Sequence, residues 1–163
     1  MARSGSYGGT TGATLTVRLT ESISINDKDY GSTQSFSIAA IDNVDRRIMK
    51  ITDTEATILT IGAAPGVGTY IAAKIQYLRI TNLDDSKNVT LTIANENDDE
   101  MAIVLHENQK SFMLVADGTT GMVDMFDAKD SAISYSLGDL KSITADCEHS
   151  DGADIEIFIA ELA

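Results

Sequence analysis

The chain's whole stock of imidazole and thiol groups is His106, His149 and Cys147. A single cysteine rules out an intrachain disulfide and an all-cysteine metal cluster. A cupin-type metal site needs a clustered His-x-His with a further histidine downstream, and the sequence has neither. Cys147-Glu148-His149 places a nucleophile and a base side by side. In a strand, however, neighbouring side chains point to opposite faces, so Glu148 turns away from Cys147, and the trio is a weak candidate for the hydrogen-bonded pair that an activated thiol requires. His106 falls in a predicted strand and reads as a surface or edge side chain. No catalytic residue is expected.

The oxygen-rich stretch Asn95-Glu96-Asn97-Asp98-Asp99-Glu100 is the one candidate metal site. Asn95, Asn97, Asp98 and Glu100 offer the hard ligands that calcium takes six to eight at a time. The spacing lacks the glycine at the sixth position and the distal glutamate of an EF-hand, so a solvated turn is the preferred reading. Asp124, Asp127 and Asp130 form a second, weaker oxygen cluster. Gly62-Ala-Ala-Pro-Gly-Val-Gly68 has neither the dinucleotide spacing nor a following Lys-Ser/Thr, so it reads as a connecting loop. Asn88-Val89-Thr90 fits the glycosylation pattern, but without a leader it is expected to go unused. Two converging carboxylates could hydrolyse a glycosidic bond, yet with no Trp, four Phe and five Tyr the aromatic platforms of sugar sites are scarce. No cofactor and no small-molecule substrate are expected.

These groups must be carried by a scaffold, and 163 residues with 43% apolar side chains fit a single domain with a real core. The first thirteen residues contain no apolar leader, and no run is long enough to span a bilayer. Residues 1–87 hold nine Lys/Arg and nine Asp/Glu, whereas residues 88–163 hold three Lys and sixteen Asp/Glu, so the second half carries the whole net charge of -13. A surface this acidic repels phosphate backbones and anionic lipid, which argues against nucleic acid or membrane as partner. Solubility through self-repulsion accounts for much of the charge. The asymmetry also suggests a neutral docking side and an acidic, water-facing side.

The residue types point to strands. Eighteen Ile, seventeen Thr and seven Val suit a pleated surface. Over Thr14–Ile25, Leu15, Val17, Leu19, Ile23 and Ile25 share one phase and Thr14, Thr16, Arg18, Thr20, Ser22 and Ser24 the other, a long half-buried strand or two strands joined by a bend near Glu21. A turn over 26–33 precedes strands at 35–41, 46–52 and 55–61. Residues 70–83 form a second long alternating stretch with Ile71, Ala73, Ile75 and Tyr77 on one face. After a turn at Asp84–Lys87, Val89, Leu91 and Ile93 return as its partner strand. Further strands are expected at 101–106, 110–116 (Phe112 and Leu114 inward), 133–137, 140–147 and 155–162, with a loop at 117–121 and one helical turn at 124–129. Nine to eleven short strands without a long helix predict an all-β fold, a β-sandwich of jelly-roll type or a closed barrel, with the sandwich preferred. Residues 14–163 make the domain. Residues 1–13, with Gly5, Gly8, Gly9 and Gly12 and Arg3 as the only charge, make a flexible arm.

Tyr77-Leu-Arg-Ile-Thr-Asn-Leu-Asp-Asp85 followed by Asn88-Val-Thr-Leu-Thr-Ile93 resembles a strand–turn–strand signature of small virion structural proteins of marine T7-like podoviruses, including cyanophages. Thr14–Ile25, Arg47-Ile48 and Gly66-Val-Gly-Thr-Tyr70 are similar to the same group, so the resemblance covers about residues 14–115. It implies a structural part of a phage particle, made in the host cytoplasm, with no catalytic residues. A capsid decoration (knob or cement) protein bound to the major capsid protein is the favoured location, and a tail or appendage adaptor the alternative. The arm and the odd-phase apolar edges would clamp neighbouring shell subunits, and the chain could pair with its own copies as a homo-oligomer. A non-viral sandwich that binds a glycan or peptide would instead expose aromatic side chains around Tyr70, Tyr77 or Tyr135. An enzyme would bring two carboxylates or His106 together in a pocket.

Overall fold

A computed structural model describes residues 12–116, 122 and 139–163. Among them run twelve strands: β1 (Ala13–Glu21), β2 (Ser24–Ile25), β3 (Lys28–Asp29), β4 (Ser32–Ile51), β5 (Ala56–Ile61), β6 (Thr69–Tyr70), β7 (Ile75–Asn82), β8 (Val89–Asn95), β9 (Glu100–Leu105), β10 (Ser111–Val115), β11 (Leu140–Cys147) and β12 (Ala153–Leu162). The chain is all-β. Two five-stranded sheets have the orders β1-β4-β12-β7-β10 and β6-β5-β11-β8-β9, and β2 pairs with β3 in a small hairpin. All pairs are antiparallel except β5 with β6.

Strand alternation builds the sandwich. In β12, Ala153, Ile155, Ile157 and Ile159 are fully buried, while Asp154, Phe158 and Leu162 take the other phase. In β8, Val89, Leu91 and Ile93 turn inward, and in β11, Ile143, Ala145 and Cys147 do. Together with Leu78 and Ile80 of β7 and Ile58 and Leu59 of β5 they form one core shared by both sheets. Face-to-face packing of two inner faces is what makes a sandwich.

Asn82, fully buried, fixes the crossing from one sheet to the other. Its amide donates to the carbonyls of Lys87 at 2.7 Å and Leu105 at 3.0 Å, and its Oδ1 accepts from the Asp84 amide at 3.0 Å. Asp84 Oδ1 then accepts from the amides of Ser86 and Lys87, which holds its carboxyl below the usual carboxylate range. Buried polar groups need such partners.

Several expectations are corrected. Strands 35–41 and 46–52 are one continuous β4, because β4 exchanges β1 for β12 as partner at Ile41 instead of breaking. Val89–Ile93 is not paired with β7: β8 pairs with β9 and β11 in the opposite sheet. The stretch 70–83 is interrupted by a turn of 3-10 helix at Ala72–Lys74. A register slip between Ala160↔Tyr77 and Glu161↔Ile75 then sends Ile75 into the main core and Tyr77 to the opposite face. Thr14–Ile25 takes the second of its two expected forms, two strands (β1 and β2) joined after Glu21, but it is mostly exposed instead of half-buried. Among the described residues the strands number twelve, against nine to eleven expected in the whole chain, three of them two residues long. Ala13, assigned to the arm, is already in β1. Residues 1–11, the loop at 117–121, the helical turn at 124–129 and the strand at 133–137 lie outside the described residues, Met122 excepted.

Candidate interaction surface

Pairing register places side chains on the outer face of the first sheet in rows. One row runs Val44, Ala160, Tyr77, Val115, the next Arg46, Phe158, Arg79, Met113, and the third Ile48, Glu156, Thr81, Ser111. The Tyr77 and Phe158 rings meet edge to face with centroids 5.9 Å apart, and the Arg79 guanidinium lies 5.9 Å from the Phe158 centroid. Both contacts are of favourable geometry for aromatic groups. Glu156, with its side chain 8% exposed, joins Arg46 (2.6 Å) to Arg79. Burial raises the Tyr77 hydroxyl above its ordinary range, and the nearby Arg79 charge partly offsets this.

Across this face folds a two-stranded ribbon made of β1 and the first half of β4. Ala40, with φ of 60°, bends β4 at the point where its partner changes. One face of the ribbon is apolar, with Leu15 opposite Ile38 and Val17 opposite Phe36. The other is a hydroxyl ladder, with Thr16 to Ser37 at 3.1 Å and Thr33 to Thr20 at 3.3 Å. At the tip, Asn26 and Asp27 both have positive φ, the type I′ geometry that matches hairpin twist. The apolar face packs Leu15, Val17 and Ile38 onto Ile41, Tyr77, Phe158 and Ala160, a second hydrophobic cluster outside the sandwich core.

The ribbon leaves part of the outer face open. A cleft of about 410 Å³ runs between β1 and the β7–β10 edge, floored by Tyr77, Met113 and Val115 and walled by Val17, Leu19 and Phe36. Arg18, Arg79 and Lys110 stand around it. Leu19, Phe36, Met113 and Val115 are each 40% exposed or more. With Val44 and Ile48 beside them, they give an apolar surface of the kind that marks interaction sites.

At the other side of β4, Arg47 makes a latch. Its Nη1 donates to Asp45 and to the Tyr70 hydroxyl, its Nη2 to the Ile58 carbonyl at 2.6 Å, and the Tyr70 hydroxyl donates to Asp45. This cluster fastens β4, β5 and β6. Burial, reinforced by the hydrogen bond to Asp45, pushes Tyr70 up to about 12.

Among the described residues, those singled out in the sequence lie in separate places, and only the Asn95–Glu100 stretch is gathered, in one turn. Asn95 Oδ1 accepts the amides of Asn97 at 3.0 Å and Asp99 at 2.8 Å, Lys141 pairs with Asp98, and Glu100 is exposed at the start of β9. These oxygens serve a self-closing turn, and among the described residues no group of three His, Cys, Asp or Glu is placed to hold a metal. Cys147 is buried in the core, while His106 and His149 are exposed in separate turns. Tyr70 and Tyr77 are buried in different clusters, so they form no exposed aromatic platform. Asp124, Asp127, Asp130 and Tyr135 lie outside the described residues. The cleft residues Arg18, Phe36, Met113 and Val115 carried a signal that alternation alone passes over. Phe112–Val115 is apolar on both phases, so it puts Met113 and Val115 on the face away from the core as well as Phe112 and Leu114 toward it. Comparisons with protein-family models, with curated proteins and with solved structures find no match.

Proposed function

We propose that the chain is a structural subunit of a phage particle, a capsid decoration protein that docks on the major capsid protein through the ribbon and the adjoining outer face. The observation that carries this reading is the ribbon itself. The ribbon folds out over the sheet and presents Leu19 and Phe36 beside the exposed Met113 and Val115 of β10, an arrangement that a monomer has no need of. The sequence resemblance over residues 14–115 supports the same class. No catalytic role, nucleic acid or membrane belongs to this reading, and its location is the outer surface of the shell.

Strand order supports a jelly roll. Numbering the eight principal strands (β4, β5, β7, β8, β9, β10, β11, β12) from one to eight, the sheets read 1-8-3-6 and 2-7-4-5, the order of a double Greek key. Viral capsid domains, lectins and cupins share that architecture, so it is compatible with the role without assigning it.

The test is quantitative peptide mass spectrometry on gradient-purified particles, expressed as a ratio to the major capsid protein. A ratio in the range of a shell component supports decoration. A few copies per particle would move the chain to the tail or portal vertex, and absence from particles would overturn the virion reading.

A further inference from the structure

We propose that the cleft between β1 and the β7–β10 edge receives an extended, carboxylate-bearing segment of the shell protein, which adds as a strand to the free edge of β1. This rests on the docking reading and names the chemistry of its partner. Three observations converge. First, among the described residues β1 ends its sheet and is paired on one side only, with β4. An unpaired edge offers backbone donors and acceptors that only another polypeptide backbone can match along its length.

Second, the groove beside that edge is apolar. An added strand would turn alternate side chains onto Tyr77, Met113 and Val115, and the pleat repeat makes every second residue of such a strand face the floor. Third, Arg18 and Lys110 are exposed at the rim, and neither takes part in a salt bridge among the described residues. The chain has 12 cations against 25 carboxylates, so two unbridged cations flanking one apolar groove favour an anionic occupant. A polyanion such as nucleic acid is disfavoured by the net charge of -13, and a sugar would leave the strand edge unused.

The experiment measures binding of the purified full chain to overlapping dodecamer peptides spanning the major capsid protein, by fluorescence anisotropy, with amide chemical shifts mapping the site. The expected result is saturable binding of one acidic, alternately apolar peptide, with shifts concentrated in residues 13–21 and 111–115. Arg18→Glu with Lys110→Glu should weaken it at least tenfold and abolish its salt dependence. The matched charge reversals Lys74→Glu with Lys141→Glu, away from the cleft, should change it less than twofold, and thermal melts of all variants check the fold. Binding unaffected by the Arg18/Lys110 variant, or shifts elsewhere, would overturn the proposal even where mass spectrometry places the chain on the shell. Absence of the chain from particles would instead sink the docking reading itself. Concentration-dependent dimers lost in the Arg18/Lys110 variant would assign the groove to a second copy and likewise overturn the proposal.

Discussion

Gly12 lies against the backbone of Ala40: a Cβ at position 12 would stand 2.6 Å from the Ala40 carbonyl carbon, and Ala40 itself is held at φ of 60°. The crossing of these two residues marks where β1 begins and where β4 bends, and so it sets the ribbon over the outer face. A left-handed conformation costs a residue with a Cβ roughly 1 kcal/mol that glycine does not incur. Ala40→Gly is therefore expected to stabilise the fold by about 0.5 kcal/mol, net of the flexibility gained by the unfolded chain. Gly12→Val should displace the ribbon. The expected signs are a lower melting temperature and loss of nuclear Overhauser contacts between Val17 and Tyr77, and unchanged contacts would show that the crossing does not position the ribbon.

Gln76 is fully buried, and neither its amide nitrogen nor its carbonyl oxygen finds a partner among the described residues. An unsatisfied buried polar group costs about 1–3 kcal/mol. Gln76→Met keeps the length and volume of the side chain without those two atoms, so urea denaturation should show stabilisation of about 1 kcal/mol or more. Destabilisation would mean that Gln76 is satisfied by an internal water.

Much of the fold was legible in the sequence because one-sided burial enforces period two. Val89, Leu91 and Ile93, and Phe112 with Leu114, turn inward in the expected phase, and the strand expected at 155–162 lies within β12. Legibility failed where pairing changes along a strand. Ile75 and Tyr77 share a phase in sequence, yet the slip opposite Ala160 and Glu161 separates them. Asp42-Asn43 reads as a break, yet β4 passes through it with a new partner. Strand order is a long-range property, so β8 was read as pairing with β7 although it lies in the other sheet. Of the candidate surface, the charge asymmetry and the odd-phase apolar side chains of β1 were visible, and the cleft was not. The cleft depends on a bend at Ala40, and alanine is not a residue that announces positive φ.

Glu156 is held between two guanidinium groups of unequal exposure, Arg46 at 67% and Arg79 at 35%. Removing the carboxylate leaves Arg79 half-buried beside Phe158 with its partner gone, so Glu156→Leu is expected to destabilise by about 2 kcal/mol. Arg46→Met should cost no more than about 0.5 kcal/mol, because an exposed ion pair is screened by solvent. Chemical denaturation of the single and double variants gives the two coupling energies. Equal losses for Arg46→Met and Arg79→Met would contradict the assignment of Arg79 as the buried partner.

The Tyr70 latch makes a prediction about alkaline stability. Its hydroxyl titrates at about 10 in the unfolded chain and is pushed up to about 12 in the fold, first by burial and then by the bond to Asp45. Between those values the unfolded chain has released the proton that the folded chain still holds. Stability therefore falls as pH rises through that window and is fully present below it. A pKa shift of one unit corresponds to 1.36 kcal/mol, and the partial solvation of the Asp45–Arg47 pair reduces the loss to about 1 kcal/mol. Tyr70→Phe should be less stable than the wild type at pH 8 by about 1 kcal/mol, since two hydrogen bonds to the hydroxyl are lost. That deficit should shrink steadily from pH 10 to pH 12. Urea midpoints measured for both proteins at pH 8, 10, 11 and 12 test this directly, because lysines titrating in the same range affect both alike. Parallel curves would show that the hydroxyl is not protected by the fold and that Arg47 and Asp45 hold β4 to β5 without it.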